Sequence, residues 1–461
     1  MGGLLLFDIR VLGDGDTYWH LATGDWIIGH GSVPHVDVFS YSRPGIPWVT
    51  QEWLSELLMA LARQMAGWSG VVALFAVAMA VTAWLIVRRL SQAIGGVTLI
   101  LASVLTLACM SGGLLARPHL LALPILVIWT LEMLSARSEN RAPRLVFALL
   151  MIAWANMHGS YLLGLLVAGV FGLEALVETG ADRNKVIQQW GLFGVAIFIA
   201  TLITPHGLRG LTYPIQIMTM SALPGIVEWR AADFSHPSAF EAAVLVTIFV
   251  CLWRGVRVPV VRLFLLLLLL YLSLQHVRHQ LVLAAMAPLI LAEPLALALG
   301  HEPAHPRLRV GALAAVTAFA VALFGVRLMY PVVRVDGLNS PVTALAQLPP
   351  DLVRQPVLNE YGFGGYLIDK GVRPFIDGRS DLYGDAFTQA YFIAEASGRP
   401  GLDRLMDRYG VVWTIFEPGN PIVSVLDADP NWKRIHTDPN AVVHQRIAEP
   451  TMIKTRSNPS G

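Results

Sequence analysis

Two carboxylates one residue apart stand near the start of the chain. Asp14 and Asp16 flank Gly15 in the run DGDTYWHLATGDW. Carboxylates this close on a glycine-containing turn can hold a divalent cation such as Mg²⁺ or Mn²⁺, or one can act as a general base whose pKa the other tunes. The same pattern is typical of an acidic turn with Asp16 as the N-cap of a helix that starts near Thr17, and the sequence leaves both interpretations open.

Arginine and histidine side chains recur at the ends of long apolar segments. They are Arg117, His119, His158, His206, His276, Arg278 and His279, with Glu228 and Arg230 in a long loop and His20 beside the carboxylates. Polar groups at membrane depth are costly and by default mark a site that faces a cavity. A single one would more often be structural, but their recurrence in four separate segments predicts a shared substrate-binding pocket.

Such a pocket suits a lipid-linked sugar phosphate. Arginine forks and histidine donors match phosphate oxygens, whereas carboxylates and the faces of Trp or Tyr match sugar hydroxyls and C–H surfaces. Both kinds of group belong together in polyprenyl-phosphate sugar chemistry. We expect the donor phosphate near the arginines, its tail among the helices and the acidic pair near the reacting carbon.

The elements that position these residues are predicted to lie in a membrane. Of the 461 residues, 55% are hydrophobic and 14% are charged, whereas soluble proteins carry about 25% charged residues. The net charge of +1 gives no basic excess, which disfavours nucleic acid as a partner. Cys109 and Cys251 lie inside apolar stretches and support neither a disulfide framework nor a thiolate metal site.

Apolar runs of membrane-spanning length are expected to be helices, because backbone polar groups in a bilayer must be satisfied within the segment. Ten are predicted, at approximately 67–87, 95–114, 118–134, 144–158, 160–178, 186–204, 240–253, 258–274, 280–298 and 309–330. Several are shorter than a bilayer is thick, which favours tilted or half-depth helices around a cavity. An amphipathic helix that begins with the run 50–58 precedes the first span and is expected to lie in the interface.

Alternate loops between these spans are rich in arginine, as cytoplasmic loops are. The rich loops carry Arg88 and Arg89; Arg137, Arg141 and Arg144; Arg183 and Lys185; Arg254, Arg257 and Arg262; and Arg307 and Arg309. By alternation, residues 8–66, the loop 205–239 and the tail 331–461 lie on the outer side. The chain is therefore predicted to be a polytopic α-helical membrane protein of about ten transmembrane helices with a C-terminal soluble α/β domain, divided at 1–66, 67–330 and 331–461.

The tail from 331 to 461 has the patterning of a soluble domain. Strands are predicted at 356–359, 374–377 and 411–416, helices near 367–370, 387–395 and 401–408, and a closing hairpin of 432–436 with 442–446. Gly364 and Gly365 are expected to permit a tight turn. The segment 377–381, which contains Arg379, is expected either to pair internally as a structural turn or to contact the acceptor.

The motifs, taken in order, carry a family resemblance. After the first run come TQEWLSELL, ARPHL, WANMHGSYLLG, TPHGLRGLTYPIQ, VEWRAADF and LQHVRHQ, and the tail adds NEYGFGGYLI and FIDGRSDLYGDAF. Together they resemble a group of bacterial polytopic membrane proteins related to glycosyltransferases of the GT-C type. The match covers nearly the whole chain.

The resemblance implies a multi-helix membrane enzyme that uses a polyprenyl-phosphate-linked sugar on the periplasmic side of the bacterial inner membrane. The implied partners are membrane lipids and an envelope glycan, lipid or protein as acceptor. Carried onto this sequence, it makes Asp14 and Asp16 the acidic motif and Asp16 the general base of an inverting transfer. Members of the group have a membrane crossing just before the acidic loop, so we expect the natural chain to begin further upstream.

Two other functions stay open on the sequence alone. The chain could be a non-catalytic partner in polysaccharide assembly that binds lipid-linked sugar and recruits other proteins through its tail. It could also be a transporter, which ranks last because transport needs polar groups along the whole path. The inner halves of the predicted helices carry little charge beyond Glu132, Glu174 and Glu293.

Overall fold

A computed structural model describes residues 6–178, 182–223, 226–301, 310–397 and 399–447. The chain divides into two compact units. The helical unit takes in the described parts of Met1–Val11, Gln51–Gln216 and Leu223–Pro331, and the sheet unit those of Leu12–Thr50, Ile217–Ala222 and Val332–Gly461. The predicted division at 66 and 330 is a division along the sequence, and it stays a prediction.

The first helix, α1 (Asp16–His30), belongs to the sheet unit. The next helices are α2 (Trp53–Ala93), α3 (Gly96–Met110), α4 (Pro118–Ser138), α5 (Phe147–Met157), α6 (Tyr161–Glu178), α7 (Arg183–Thr201), α8 (Leu208–Met218), α9 (Ala239–Arg254), α10 (Val260–Gln275), α11 (Gln280–Leu299) and α12 (Val310–Met329). Each of the ten predicted apolar segments coincides with one of α2–α7 or α9–α12. Among the described residues, five helical stretches are long and apolar enough to cross a membrane: Trp53–Ala93, Gly96–Gly113, Pro118–Ser138, Tyr161–Glu178 and Val277–Leu299.

The predicted amphipathic helix and the first predicted span are joined in α2. The helical geometry breaks at Ala66 and Gly67, where Gly67 has φ 58° and ψ −148°. A side chain at this φ would be strained, so glycine is the residue that allows the break. The sequence therefore located both segments, and the structure adds that they follow each other without a loop.

Aromatic side chains hold the centre of the helical unit together. Trp129 of α4 packs edge-on against Trp154 of α5, with ring centroids 6.0 Å apart, and its centroid lies 5.8 Å from that of Phe193 in α7. The indole N–H of Trp129 donates to the carbonyl of Gly164 in α6 at 2.9 Å. A Cβ on Gly164 would lie 2.6 Å from the Trp154 ring, so glycine permits this close approach.

Buried carboxylates in the helical unit are paired with arginines of the arginine-rich loops. Glu174 of α6, whose side chain is 1% exposed, contacts Arg137 of α4 at 3.2 Å and Arg262 of α10 at 2.7 Å. Glu132 pairs in the same way with Arg141 and Arg144, each at 2.7 Å. The Glu174 pairs connect three helices, and the Glu132 pairs connect α4 to the loop that follows it. Removing one partner would leave an uncompensated buried charge, which is strongly destabilising.

The sheet unit contains a four-stranded sheet in the order β1-β2-β4-β3. Its strands are β1 (Val357–Asn359), β2 (Trp413–Phe416), β3 (Trp432–Thr437) and β4 (Val442–Arg446). Its further helices are α13 (Val342–Gln347), α14 (Pro350–Val353), α15 (Gly364–Asp369), α16 (Ser380–Tyr383), α17 (Asp385–Ser397), α18 (Arg399–Arg408) and α19 (Pro421–Asp427). β1 and β2 are parallel and the other pairs antiparallel, so the predicted closing hairpin is confirmed.

The strand predicted at 374–377 is wrong. Phe375 and Ile376 are buried, as their apolar character indicated, but they pair with a side chain rather than a neighbouring strand. Asn359 Oδ1 accepts from the Phe375 amide at 2.8 Å, and Asn359 Nδ2 donates to the Ile376 carbonyl at 2.8 Å. One amide side chain thus satisfies the backbone groups that a ladder would otherwise satisfy.

Arg379 is fully buried, with 0% side-chain exposure, and takes the structural role that the sequence left open. Its guanidinium donates to Asp377 at 2.7 and 2.8 Å and to Asp37 at 2.9 Å. The Tyr383 hydroxyl donates to Asp377 at 2.6 Å. The guanidinium of Arg379 is used within the core, and the alternative, that the segment 377–381 contacts the acceptor, stays a prediction.

We expect Arg379→Met to lower the thermal unfolding midpoint strongly, because it leaves Asp37 and Asp377 buried without their cation. The expected loss of unfolding free energy is about 3–5 kcal/mol. The matched control is Arg434→Gln, since Arg434 pairs with Asp427 at the surface, where such pairs contribute about 0–1 kcal/mol. Thermal unfolding and limited proteolysis of the full chain measure both variants. Equal midpoints for the two would contradict the structural role of Arg379.

Candidate functional site

One carboxylate is shared between two arginines in the helical unit. Arg117 Nη1 lies 2.7 Å from Glu228 Oε2, and Arg278 Nη1 lies 3.2 Å from Glu228 Oε1. Arg117 is the N-cap residue of α4, and Arg278 lies in the 3-10 turn just before α11. We call Arg117, Glu228 and Arg278 the arginine–glutamate cluster.

The local sequence explains why Arg117 stands at the start of a helix. Pro118 follows Arg117 at the first helical position, where its fixed φ favours helix initiation and its missing N–H costs nothing. The N-terminal end of a helix carries unsatisfied N–H groups and a partial positive charge. Two helix starts and two guanidinium groups therefore favour an anion at this place.

The loop that carries Glu228 is held in place by its neighbours. His276 Nδ1 donates to the Trp229 carbonyl at 2.7 Å, and the Val277 amide donates to the Arg230 carbonyl at 3.0 Å. The guanidinium of Arg278 stacks on the Trp229 ring, 4.3 Å from its centroid. The loop and the segment before α11 thus form one hydrogen-bonded network.

Burial and the arginines act in opposite directions on the Glu228 carboxyl group. Burial by itself raises the pKa of Glu228, but the positive charges of Arg117 and Arg278 outweigh it, and the pKa lies below its usual value. The carboxyl group is therefore ionised at neutral pH. Its side chain remains 26% exposed, so a ligand can reach it.

Two histidines lie next to this cluster. The rings of His119 and His158 are 6.2 Å apart. His158 Nδ1 accepts from the Ser160 amide at 3.1 Å, so a neutral ring carries its proton on Nε2, which lies 3.3 Å from Glu52 Oε1. Burial lowers the pKa of His158 well below its usual value, and the neighbouring His119 and the positive charge of Arg278 act in the same direction, so this ring is a neutral donor.

The remaining predicted ligands of the helical unit are placed as follows. His279 Nδ1 donates to the Leu272 carbonyl at 3.3 Å, and the centroids of the His276 and His279 rings are 5.6 Å apart. His206 lies in the turn before α8, where its amide donates to Thr204 Oγ1 at 3.3 Å. The side chain of Arg230 is exposed. His276 and His279 thus lie beside the arginine–glutamate cluster, and all four of these residues stay predictions as ligands.

Asp14, Asp16 and His20 belong to the sheet unit, so their predicted union with the arginines in one chamber stays a prediction. Asp16 is the first residue of α1 and not its N-cap, which is Gly15. The capping role falls to Asp14, whose Oδ1 accepts from the Asp16 amide at 2.8 Å. His20 is buried on α1, with its ring centroid 3.6 Å from that of Trp19.

Glycines of the C-terminal segment form a close cradle around the acidic motif. A Cβ on Gly365 would lie 2.1 Å from the Gly15 carbonyl oxygen, and one on Gly378 would lie 1.7 Å from Asp16 Oδ1. Gly364 and Gly365 open α15 and do not form the tight turn that was predicted. The lack of a side chain at Gly365 allows the approach of α1, whereas Gly364 allows the approach of the Ile376 carbonyl. The sequence could not show the contact with α1 because the two segments are far apart along the chain.

Asp14 and Asp16 stay predicted metal ligands. Mg²⁺ and Ca²⁺ take six or more oxygen ligands, and Mg²⁺ is usually held by one or two protein carboxylates together with waters and substrate phosphates. Among the residues that the structure describes, no group of three or more His, Cys, Asp or Glu side chains could hold a metal ion. One oxygen of Asp14 also accepts a backbone N–H. We therefore derive no chemical step through a metal ion.

Comparison with known proteins establishes the fold. No protein-family model matches the chain, and no curated protein matches it. The structure is similar to the archaeal oligosaccharyltransferase AglB from Archaeoglobus fulgidus in complex with an inhibitory peptide and a dolichol-phosphate. The TM-score is 0.55 at 11% identity, over 90% of this chain and 68% of that chain.

A second structure of the Archaeoglobus fulgidus oligosaccharyltransferase, tethered to an acceptor peptide with the NVT sequon, gives a TM-score of 0.50 at 11% identity, again over 90% of this chain and 68% of that chain. At this identity the likeness shows the fold and no more. The predicted fold is confirmed: the chain is a polytopic helical membrane protein with a C-terminal domain, and its fold is like that of the archaeal oligosaccharyltransferase.

The glycine cradle gives a stability prediction. Gly365→Ala places a Cβ against the Gly15 backbone, which cannot move aside cheaply, so we expect a loss of about 1–3 kcal/mol. Gly419→Ala is the matched control in the same unit, because a Cβ there meets no atom within 4 Å. The thermal unfolding midpoints of the two variants decide the matter. A Gly365→Ala protein as stable as Gly419→Ala would mean that α1 and α15 are not closely packed.

Proposed function

We propose that the protein is an integral-membrane glycosyltransferase that moves a sugar from a polyprenyl-phosphate donor to an envelope acceptor. The acceptor is a glycan, lipid or protein of the cell envelope. The transfer takes place on the periplasmic side of the bacterial inner membrane, with inversion at the anomeric carbon. The likeness in fold to an archaeal oligosaccharyltransferase supports this proposal, as do the motifs that resemble a bacterial glycosyltransferase-related group.

The observation that carries the proposal is the convergence of Arg117 and Arg278 on one carboxylate at the starts of two apolar helices. In a polytopic protein, a guanidinium pair at such a position suits the phosphate of a lipid whose tail lies among the helices. His276 and His279, just before α11, complete the proposed site, and their Nδ1 atoms donate to the Trp229 and Leu272 carbonyls. Trp229, which stacks on Arg278, offers an aromatic face for a sugar ring.

In the proposed mechanism, Asp16 accepts the proton of the acceptor hydroxyl as its oxygen attacks the anomeric carbon. The bond between that carbon and the phosphate oxygen breaks, and the phosphate leaves with the electron pair. Arg117 and Arg278 stabilise the negative charge that the leaving phosphate gains. Asp14 fixes the start of α1 through its hydrogen bond to the Asp16 amide and so positions the base.

The orientation of this reaction follows from the arginine-rich loops, which the positive-inside rule assigns to the cytoplasm. Part of the positive charge of these loops lies in buried ion pairs, since Arg137 and Arg262 contact Glu174. The same pairing removes a reason to propose transport, because Glu132 and Glu174 serve as partners of arginines and not as isolated groups along a path.

Binding of the donor tests the role of the arginines. We expect Arg278→Gln to weaken the binding of a polyprenyl phosphate by at least about tenfold, because charge-assisted contacts to phosphate are lost. Arg209→Gln is the matched control, because Arg209 is exposed and the substitution removes the same charge. Titration of the purified full chain with the lipid, followed by native mass spectrometry, measures both. Equal binding by the two variants would contradict the proposed phosphate site.

Turnover tests the role of Asp16. Mass spectrometry of lipid that copurifies with the chain identifies the donor, and transfer from that donor is then measured in membranes. We expect Asp16→Asn to reduce turnover by about 10²–10⁴-fold while donor binding is retained, because only proton transfer is impaired. Asp25→Asn, on the same helix, should stay active. If the double variant Asp14→Ala and Asp16→Ala keeps full turnover, Asp16 is not the base; donor binding without any turnover in the unaltered chain would identify a non-catalytic binder.

A further inference from the structure

Glu228 places a negative charge at the two guanidinium groups to which the proposed function assigns the donor phosphate. Its oxygens lie 2.7 Å from Arg117 Nη1 and 3.2 Å from Arg278 Nη1. All three side chains are partly exposed, so a ligand can share the guanidinium groups with the carboxylate. Any phosphate that binds there lies within a few ångströms of Glu228.

We infer that Glu228 is a specificity-determining residue, which makes the site select a lipid phosphodiester with one negative charge over a lipid diphosphate with two. The inference rests on the proposed function, in which Arg117 and Arg278 bind the donor phosphate. The carboxylate offsets part of the positive charge of the arginines and repels each further negative charge that approaches. The second charge of a diphosphate therefore meets less attraction and more repulsion than the single charge of a phosphodiester.

The carboxylate is held where it can exert this effect. The residues that follow Glu228 are fixed by hydrogen bonds from His276 to the Trp229 carbonyl and from Val277 to the Arg230 carbonyl. The Ala232 amide donates to the Leu274 carbonyl at 2.9 Å and continues the same pairing. Glu228 thus cannot swing away with its loop unless several main-chain hydrogen bonds break. A carboxylate that stays in place discriminates by charge, whereas one that leaves would not.

The charge of Glu228 can be removed without changing its size. Glu228→Gln keeps the side-chain length and a hydrogen-bond acceptor for the arginines. Glu228→Asp keeps the charge and shortens the side chain. Asp233→Asn removes one charge from the same loop at an exposed position, where Asp233 accepts from the Ser235 amide at 2.8 Å. These three variants separate the effect of charge at the arginines from the effects of fold and of net charge.

The experiment compares two probes of equal chain length that carry no sugar. They are a polyprenyl methyl phosphate, with one negative charge, and a polyprenyl methyl diphosphate, with two. Dissociation constants are measured on the full chain in nanodiscs. We expect the unaltered protein to prefer the monophosphate, Glu228→Gln to shift this preference toward the diphosphate by about tenfold, and both Glu228→Asp and Asp233→Asn to keep it.

The outcomes distinguish this inference from the proposed function. If Glu228→Gln, with an unchanged unfolding midpoint, shows the same preference as the unaltered protein, the charge selection by Glu228 is refuted. The phosphate site then stands if Arg278→Gln still weakens both probes. If Glu228→Gln does not fold, a loss of preference in Glu228→Asp refutes the inference, since that variant keeps the charge. If neither probe binds the unaltered protein, or Arg278→Gln binds both as tightly, the phosphate site itself is overturned.

Discussion

The candidate site depends on how a single carboxylate is shared between two guanidinium groups. Arg117 and Arg278 stand at the starts of α4 and α11, two helices in contact with each other, so their positive charges and those of the helix ends add. Like charges this close repel, and Glu228 offsets the repulsion. Because Glu228 comes from the loop before α9, the same contact also fixes that loop, and with it Trp229 and its hydrogen bond from His276.

The helices could be predicted from the sequence because their signal is local. A long apolar run must form its hydrogen bonds within itself, and each predicted run coincides with a helix of the structure. One error lies where a residue elsewhere in the chain decides the local structure. Phe375 and Ile376 form no strand because the side chain of Asn359 takes the place of a neighbouring strand. In a second error, Asp14 and not Asp16 caps the start of α1. The residue types alone do not determine which of the two carboxylates the turn brings to the free N–H.

The site was predictable in its residue types and less so in its contacts. Arginine, histidine and glutamate at the ends of apolar segments are costly, and this cost marked Arg117, Glu228 and Arg278 before their pairing was known. Glu52 was not singled out, although its carboxylate lies 3.3 Å from His158, because it stands in a helix that the amphipathic pattern already explained. The glycine cradle could not be predicted for another reason. The DGR and GFGG motifs are visible in the sequence, but only the folded structure shows that they contact the acidic motif.

Two glutamates of the helical unit form similar ion pairs but differ in how exposed these pairs are. Glu174 and Glu228 each contact two arginines from two other elements. The Glu174 side chain is 1% exposed and that of Glu228 is 26% exposed. A ligand cannot reach Glu174 unless the helix packing opens, so the arginines that contact Glu174 have a structural role. Glu228 leaves its arginines within reach of an outside anion, and a site that binds and releases a charged substrate needs an ion pair of this exposed kind.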